Sequence, residues 1–294
     1  MGNQILVPII EILSNADEKK TNIQPTLLYN EGWMLRLVLD WFAKNPEIEY
    51  EGLSIPQDCT WFSEALLPSP FLRGKTGREG YTHADGVVGK FCIGCLQTSE
   101  PFSIDACTTK SFCPESGSVG KNKGKLSLKP DCDFFYVVEA KMSSSLSSGT
   151  THAEEYNQAA RSIACIAELW IQQQLKKKPN LKIKDLKIEE VYKLGFYVLL
   201  PREHPDLKNG EIELILNPKN IKSAIGERIT NRMPEIDNGS TNWLKDNLDN
   251  FVEKLLKQSI KAITWEEILK AIGNSSLNDF YAKCKIYNGI RDKS

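Results

Sequence analysis

Asp133-Phe134-Phe135-Tyr136-Val137-Val138-Glu139-Ala140-Lys141 is the stretch on which the reading of this chain turns. Five consecutive aromatic or β-branched residues predict a strand covered on both faces, as in a sheet flanked by helices. Side chains alternate along a strand, so Glu139 and Lys141 point the same way, with the Ala140 carbonyl close to both. A carboxylate, a main-chain oxygen and an amine are thereby gathered at one strand end, where they are expected to reach solvent. A Ser/Gly-rich segment, 143–150, follows at once.

Working outward, residues 30–44 carry Trp33, Leu37, Val38 and Trp41 at helical spacing and stop before Pro46. A short helix is expected over 60–67, ended by Pro68, and a strand over 84–93. Residues 94–130 are rich in Gly, Ser, Lys and Cys and read as an inserted segment with a short strand at 126–129. A long helix is expected over 152–177, where Tyr156, Ala160, Ile163, Ala167 and Trp170 line one side and Pro179 follows. Residues 191–200 read as another strand. The order implies an α/β fold with a central sheet and at least one crossover helix in residues 1–201. Residues 202–294 are expected to be mainly helical, with helices over 220–231, 241–261 and 265–272, packed on the same domain.

The chain has 294 residues, enough for a sizeable core in one large domain or two modest ones. Its 41% hydrophobic and 26% charged composition excludes a disordered or fibrous class. No apolar stretch approaches the roughly 18 residues needed to span a bilayer, and the first residues lack a basic segment followed by an apolar run. A cytoplasmic protein with no membrane partner and reduced cysteines is the expectation. Lys and Arg number 37 against 38 Asp and Glu, so any nucleic-acid surface must be local. Lys121, Lys123, Lys125 and Lys129 form one candidate and the lysines of 176–187 another; solvation alone explains either.

A hard cation such as Mg²⁺ takes oxygen ligands, often one or two carboxylates with phosphate and water completing the shell. Glu139 and the Ala140 carbonyl offer part of such a shell. Asp85, in Ala84-Asp85-Gly86-Val87-Val88, is the preferred second carboxylate, because its strand can pair with 134–140. Asp131 is the rival if the chain reverses before Phe134, whereas a straight strand holds Asp133 roughly 20 Å from Glu139. As a bare pair, Glu139 and Lys141 are equally consistent with a solvated ion pair of little energetic weight.

Taken together, Ala84-Asp85-Gly86-Val87-Val88, Val137-Val138-Glu139-Ala140-Lys141 and a following helix bearing Gln158 resemble the PD-(D/E)xK nuclease superfamily over roughly residues 31–201. The resemblance implies a restriction-endonuclease-like core, a mixed sheet flanked by helices, here with a mainly helical C-terminal extension. It implies Mg²⁺, with Mn²⁺ as a substitute, held by Asp85, Glu139 and Ala140, and Lys141 orienting or activating the attacking water. It also implies an assisting glutamate from the first helix, matched by Glu31 or else Glu64, and a glutamine near the site, matched by Gln158. Two departures stand out: Ala84 occupies the motif's proline position, and about 45 residues separate the two acidic strands, more than a simple hairpin needs. Pro130-Asp131 supplies the proline but lies only eight residues before Glu139. The implied activity is hydrolysis of DNA phosphodiester bonds by a restriction-type endonuclease, double-stranded DNA being the expected partner and a homodimer the assembly if each copy cuts one strand. The alternative is a noncatalytic DNA-binding or assembly protein on the same scaffold.

Cys92, Cys95, Cys107 and Cys113 could form a structural Zn²⁺ site, although the second pair is spaced more widely than in a common zinc knuckle. A buried thiol in a strand explains Cys92 as well. His83, Lys75, Arg78 and Lys90 are positional candidates for phosphate contacts. Three scattered histidines do not form a metal triad.

Overall fold

The computed structural model describes residues 10–15, 24–71, 81–93, 102–103, 125–146, 156–188, 193–232, 239–256 and 259–290. Five strands build a central sheet in the order β1-β2-β6-β7-β8: β1 (Thr60–Leu67), β2 (Thr82–Gly89), β6 (Phe134–Ala140), β7 (Lys193–Leu200) and β8 (Ile260–Thr264). The first three are antiparallel neighbours, while β6, β7 and β8 run parallel, so the sheet is mixed. A small second sheet, ordered β4-β3-β5, joins β3 (Phe91–Ile93), β4 (Phe102–Ser103) and β5 (Leu126–Leu128).

Helices cover both faces. On one side α1 (Glu31–Lys44) starts at Asn30, whose side chain caps the Trp33 amide at 3.0 Å. It packs Leu35, Val38, Leu39 and Phe42 into a core with Val88, Tyr136, Val138 and Ala140. On the other side α2 (Gln158–Lys177) packs Ile163, Ala167 and Trp170 with Val87, Phe135 and Val137. The two cores divide β6 by the period-2 alternation, which is why a near-continuous apolar run was needed there. Completing the layers are α3 (Pro218–Arg232), α4 (Gly239–Phe251), α5 (Trp265–Ile272) and α6 (Ser275–Tyr287). Among the described residues no helix is long and apolar enough to cross a membrane.

Several expectations are corrected. Residues 60–67 form strand β1 rather than a helix, because eight residues with apolar groups on both sides satisfy either period and pairing with β2 decides. The expected strand 84–93 is two strands in two sheets, broken at Gly89, whose φ of 152° is open to glycine. The long helix begins at Gln158, capped by Asn157 accepting from the Ala160 amide at 2.9 Å, while residues 151–155 lie outside the described set. The stretch read as one helix over 241–261 divides into α4, a π-helical turn at Val252–Leu256 and strand β8. The C-terminal portion therefore contributes a strand to the central sheet, and α6 is an element the sequence reading omitted.

Candidate active site

Register brings the acidic strands together. Gly86 pairs with Val138 and Val87 with Val137 across β2 and β6, so one further step sets Asp85 against Glu139. Asp85 Oδ2 accepts a hydrogen bond from the Ala140 amide at 2.8 Å. Gly86 permits this strand to lie close under α1, since a Cβ there would stand 3.0 Å from both Leu35 Cδ2 and Leu39 Cδ1.

Lys141 completes the group. Its Nζ lies 3.7 Å from Asp85 Oδ2 and 3.6 Å from Glu139 Oε2, as side chains two apart on one strand allow. Its main chain is held from both sides: the amide donates to Leu199 O at 2.8 Å, and the Trp265 indole donates to its carbonyl at 3.0 Å. Gln158, in the first turn of α2, donates to Glu139 Oε2 at 2.6 Å.

The burial of Glu139 departs from expectation. Its side chain is 0% exposed rather than at the edge of solvent, against 13% for Lys141 and 29% for Asp85. The start of α2 lies across this strand end and covers it. Burial pushes the Glu139 carboxyl well above its usual range; the Asp85 charge and a hydrogen bond shared with that carboxyl add to the rise, against the pull of Lys141 and Gln158. Glu139 Oε1 is buried with no hydrogen-bond partner.

That orphaned oxygen bears on whether a divalent cation fits. Two carboxylates in contact, one with a buried oxygen left over, are the hard donor set that Mg²⁺ accepts when phosphate and water complete its shell. Among the described residues no group of three or more His, Cys, Asp or Glu side chains is placed to hold a metal, and the carboxylates that meet here are these two.

The other candidates separate. Asp131 forms its ion pair with Lys90 at 3.7 Å, beside Asp58, at the opposite end of β6. Glu31 makes no hydrogen bond or ion pair with Asp85, Glu139 or Lys141 among the described residues. It faces α6 instead, where its charge reinforces the upward push that burial gives the Cys284 thiol. Glu64 is the nearer match in register. Ser63 pairs with Gly86 and Ala65 with Ala84, so Glu64 and Asp85 lie at the intervening step of β1 and β2. Glu64 has φ 58° and meets Arg36 at 3.5 Å.

His83 is exposed on β2. Cys92 is buried in β3, whereas Cys95, Cys107 and Cys113 lie outside the described residues, as do Lys75, Arg78, Lys121 and Lys123. The lysines at the end of α2 are remote from the carboxylates. Gln158 touches Glu139, while Gln173 donates to the Cys132 carbonyl at 2.6 Å, before β6 begins. The helix thus runs back along the sheet, and Lys176 and Lys177 stand at its far end, roughly 25–30 Å away by helical rise. Sequence reasoning missed Trp265, although Thr264-Trp265-Glu266-Glu267 bears a readable capping box that the structure forms.

No protein-family model, no curated protein and no solved structure matches this chain.

Proposed function

We propose that this protein is a Mg²⁺-dependent endodeoxyribonuclease that hydrolyses DNA phosphodiester bonds in the manner of restriction-type enzymes. The observation that carries the reading is the meeting of Asp85, Glu139 and Lys141 at one end of the central sheet, with one buried Glu139 oxygen unpartnered. A surface ion pair would not require a fully buried carboxylate beside a second one, since that arrangement is costly unless a cation or proton compensates it.

Asp85 and Glu139 would hold the ion, and the Ala140 carbonyl is the third candidate donor. When bound, such an ion supplies Lewis-acid polarisation of the phosphate and favours ionisation of water. The chain's own residues do the rest. Lys141, within 4 Å of both carboxylates, offsets negative charge developing on the phosphate and orients the attacking water. Gln158 fixes the Glu139 carboxylate by its hydrogen bond, and the Asp85 bond to the Ala140 amide fixes the second carboxylate against the same strand. The start of α2 keeps bulk water from Glu139.

The test is cleavage of plasmid and single-stranded DNA with Mg²⁺, comparing the wild type with K141A. Cleavage lost in K141A while Mg²⁺ binding persists supports the reading. No cleavage over a panel of DNA and RNA substrates, together with no Mg²⁺ binding by calorimetry, overturns it.

A further inference from the structure

Arg161 stands one turn beyond Gln158 on α2, about 4.5 Å further along the axis. Through the first half of that helix every residue from Ala159 to Ala167 is buried except Arg161, so Gln158 and Arg161 form its partly exposed ridge, and Gln158 of that ridge reaches Glu139. Residues three apart occupy the same helix face. Arg161 Nε is buried without a hydrogen-bond partner, and among the described residues Arg161 forms no ion pair. Arg36, which lies by β1, behaves differently: it bonds Ser63 at 3.0 Å and Glu64 at 3.5 Å.

A guanidinium is always charged, carries five donors in a planar fork and matches phosphate oxygens two at a time. Burying part of it without an acceptor is unfavourable, and an incoming anion reverses that. Glu139 and Asp85 do not serve as its acceptors: Glu139 Oε2 and Asp85 Oδ2 meet Gln158, the Ala140 amide and Lys141, and Glu139 Oε1 has no hydrogen-bond partner.

We infer that Arg161 is a substrate-binding residue that receives a backbone phosphate of the nucleic acid next to the Asp85–Glu139–Lys141 group. The inference rests on the nuclease reading for the identity of its ligand, but the anion site itself can be tested without it. Arg161 supplies affinity and register for the phosphate and takes no part in moving a proton.

The full-length chain is measured in two ways as wild type, R161Q and R161K. First, thermal unfolding is followed with and without inorganic phosphate. The wild type is expected to gain stability with phosphate and R161Q to gain none, whereas R161Q without phosphate is at least as stable as wild type. Second, binding of labelled duplex and single-stranded DNA is followed by fluorescence anisotropy in Ca²⁺ over a range of salt. R161Q is expected to weaken binding about tenfold to a hundredfold and to reduce the salt slope by about one, with R161K between. Phosphate stabilisation lost in R161Q without any DNA binding would uphold the anion site and sink the nuclease reading. DNA binding and phosphate response equal in wild type and R161Q would overturn the Arg161 assignment while leaving that reading intact. A large loss of stability in both R161Q and R161K without phosphate would show a structural role instead and overturn it as well.

Discussion

The indole N–H of Trp265 donates to the main-chain carbonyl of Lys141 across a 3.0 Å hydrogen bond, tying the first turn of α5 to the end of β6. Trp265 is fully buried and follows β8 directly, so the C-terminal strand and helix hold the backbone from which Lys141 projects. W265F keeps most of the ring volume but orphans that carbonyl. It is expected to lose about 1–3 kcal/mol of stability in urea unfolding and to cut DNA more slowly than wild type at a temperature where both are folded.

Replacing Glu139 tests the buried carboxylate by pH. Folding raises its pKa, so the folded state holds the proton more tightly than the unfolded chain does. The stability this group contributes is therefore full below the ordinary carboxylate pKa and is lost as pH rises through the folded value. E139Q, neutral at every pH, is expected to melt at a higher temperature than wild type at pH 8, with the gap closing toward pH 4. Adding Mg²⁺ at pH 8 is expected to raise the melting temperature of wild type and leave E139Q unmoved.

Asp85 has two separable duties. D85N retains an oxygen able to accept from the Ala140 amide, whereas D85A leaves that amide without its partner. Calorimetry should show Mg²⁺ binding weakened in both variants. Urea unfolding should show D85A less stable than D85N by about 1 kcal/mol, the ordinary net worth of one hydrogen bond.

Gly89 is the hinge between the two sheets. A Cβ there would stand 2.6 Å from the Phe134 carbonyl, at a φ of 152° that side chains rarely adopt. G89A is expected to destabilise the fold by roughly 2 kcal/mol or more, read as a lowered midpoint of unfolding.

The sequence was legible where one residue pattern permitted one answer. Phe134–Ala140 had to be a doubly covered strand, and its alternation put Glu139 and Lys141 on one side; Asp85-Gly86 marked the neighbouring strand. Thr60–Leu67 was misread because its spacing suits a helix or a strand, and only the β2 pairing distinguishes them. Ile260 and Lys261, the start of β8, read as the end of a helix because Lys and Leu before them favour helix, while the parallel edge of β7 imposes a strand. The burial of Glu139 could not be read locally, since the element that covers it begins nineteen residues later and its start depends on the Asn157 cap. Position in the first helix favours Glu31 over Glu64, whereas strand register brings the backbone of Glu64, between the Ser63–Gly86 and Ala65–Ala84 pairs, alongside Asp85.

The pairing of Ile93 with Leu126 in the small sheet has a practical side. Ile93 and Leu126 hold the two ends of the intervening segment side by side, and Lys125, its last residue, bridges Leu66, the β1 partner of His83. An Asn-Gly turn could close that gap directly, because antiparallel partners are bridged by two-residue hairpin loops. Such a junction is a place for a tag, a fluorophore or a specificity module, and it removes β4, because Phe102–Ser103 lies in the replaced segment, leaving β3 with β5 as its neighbour.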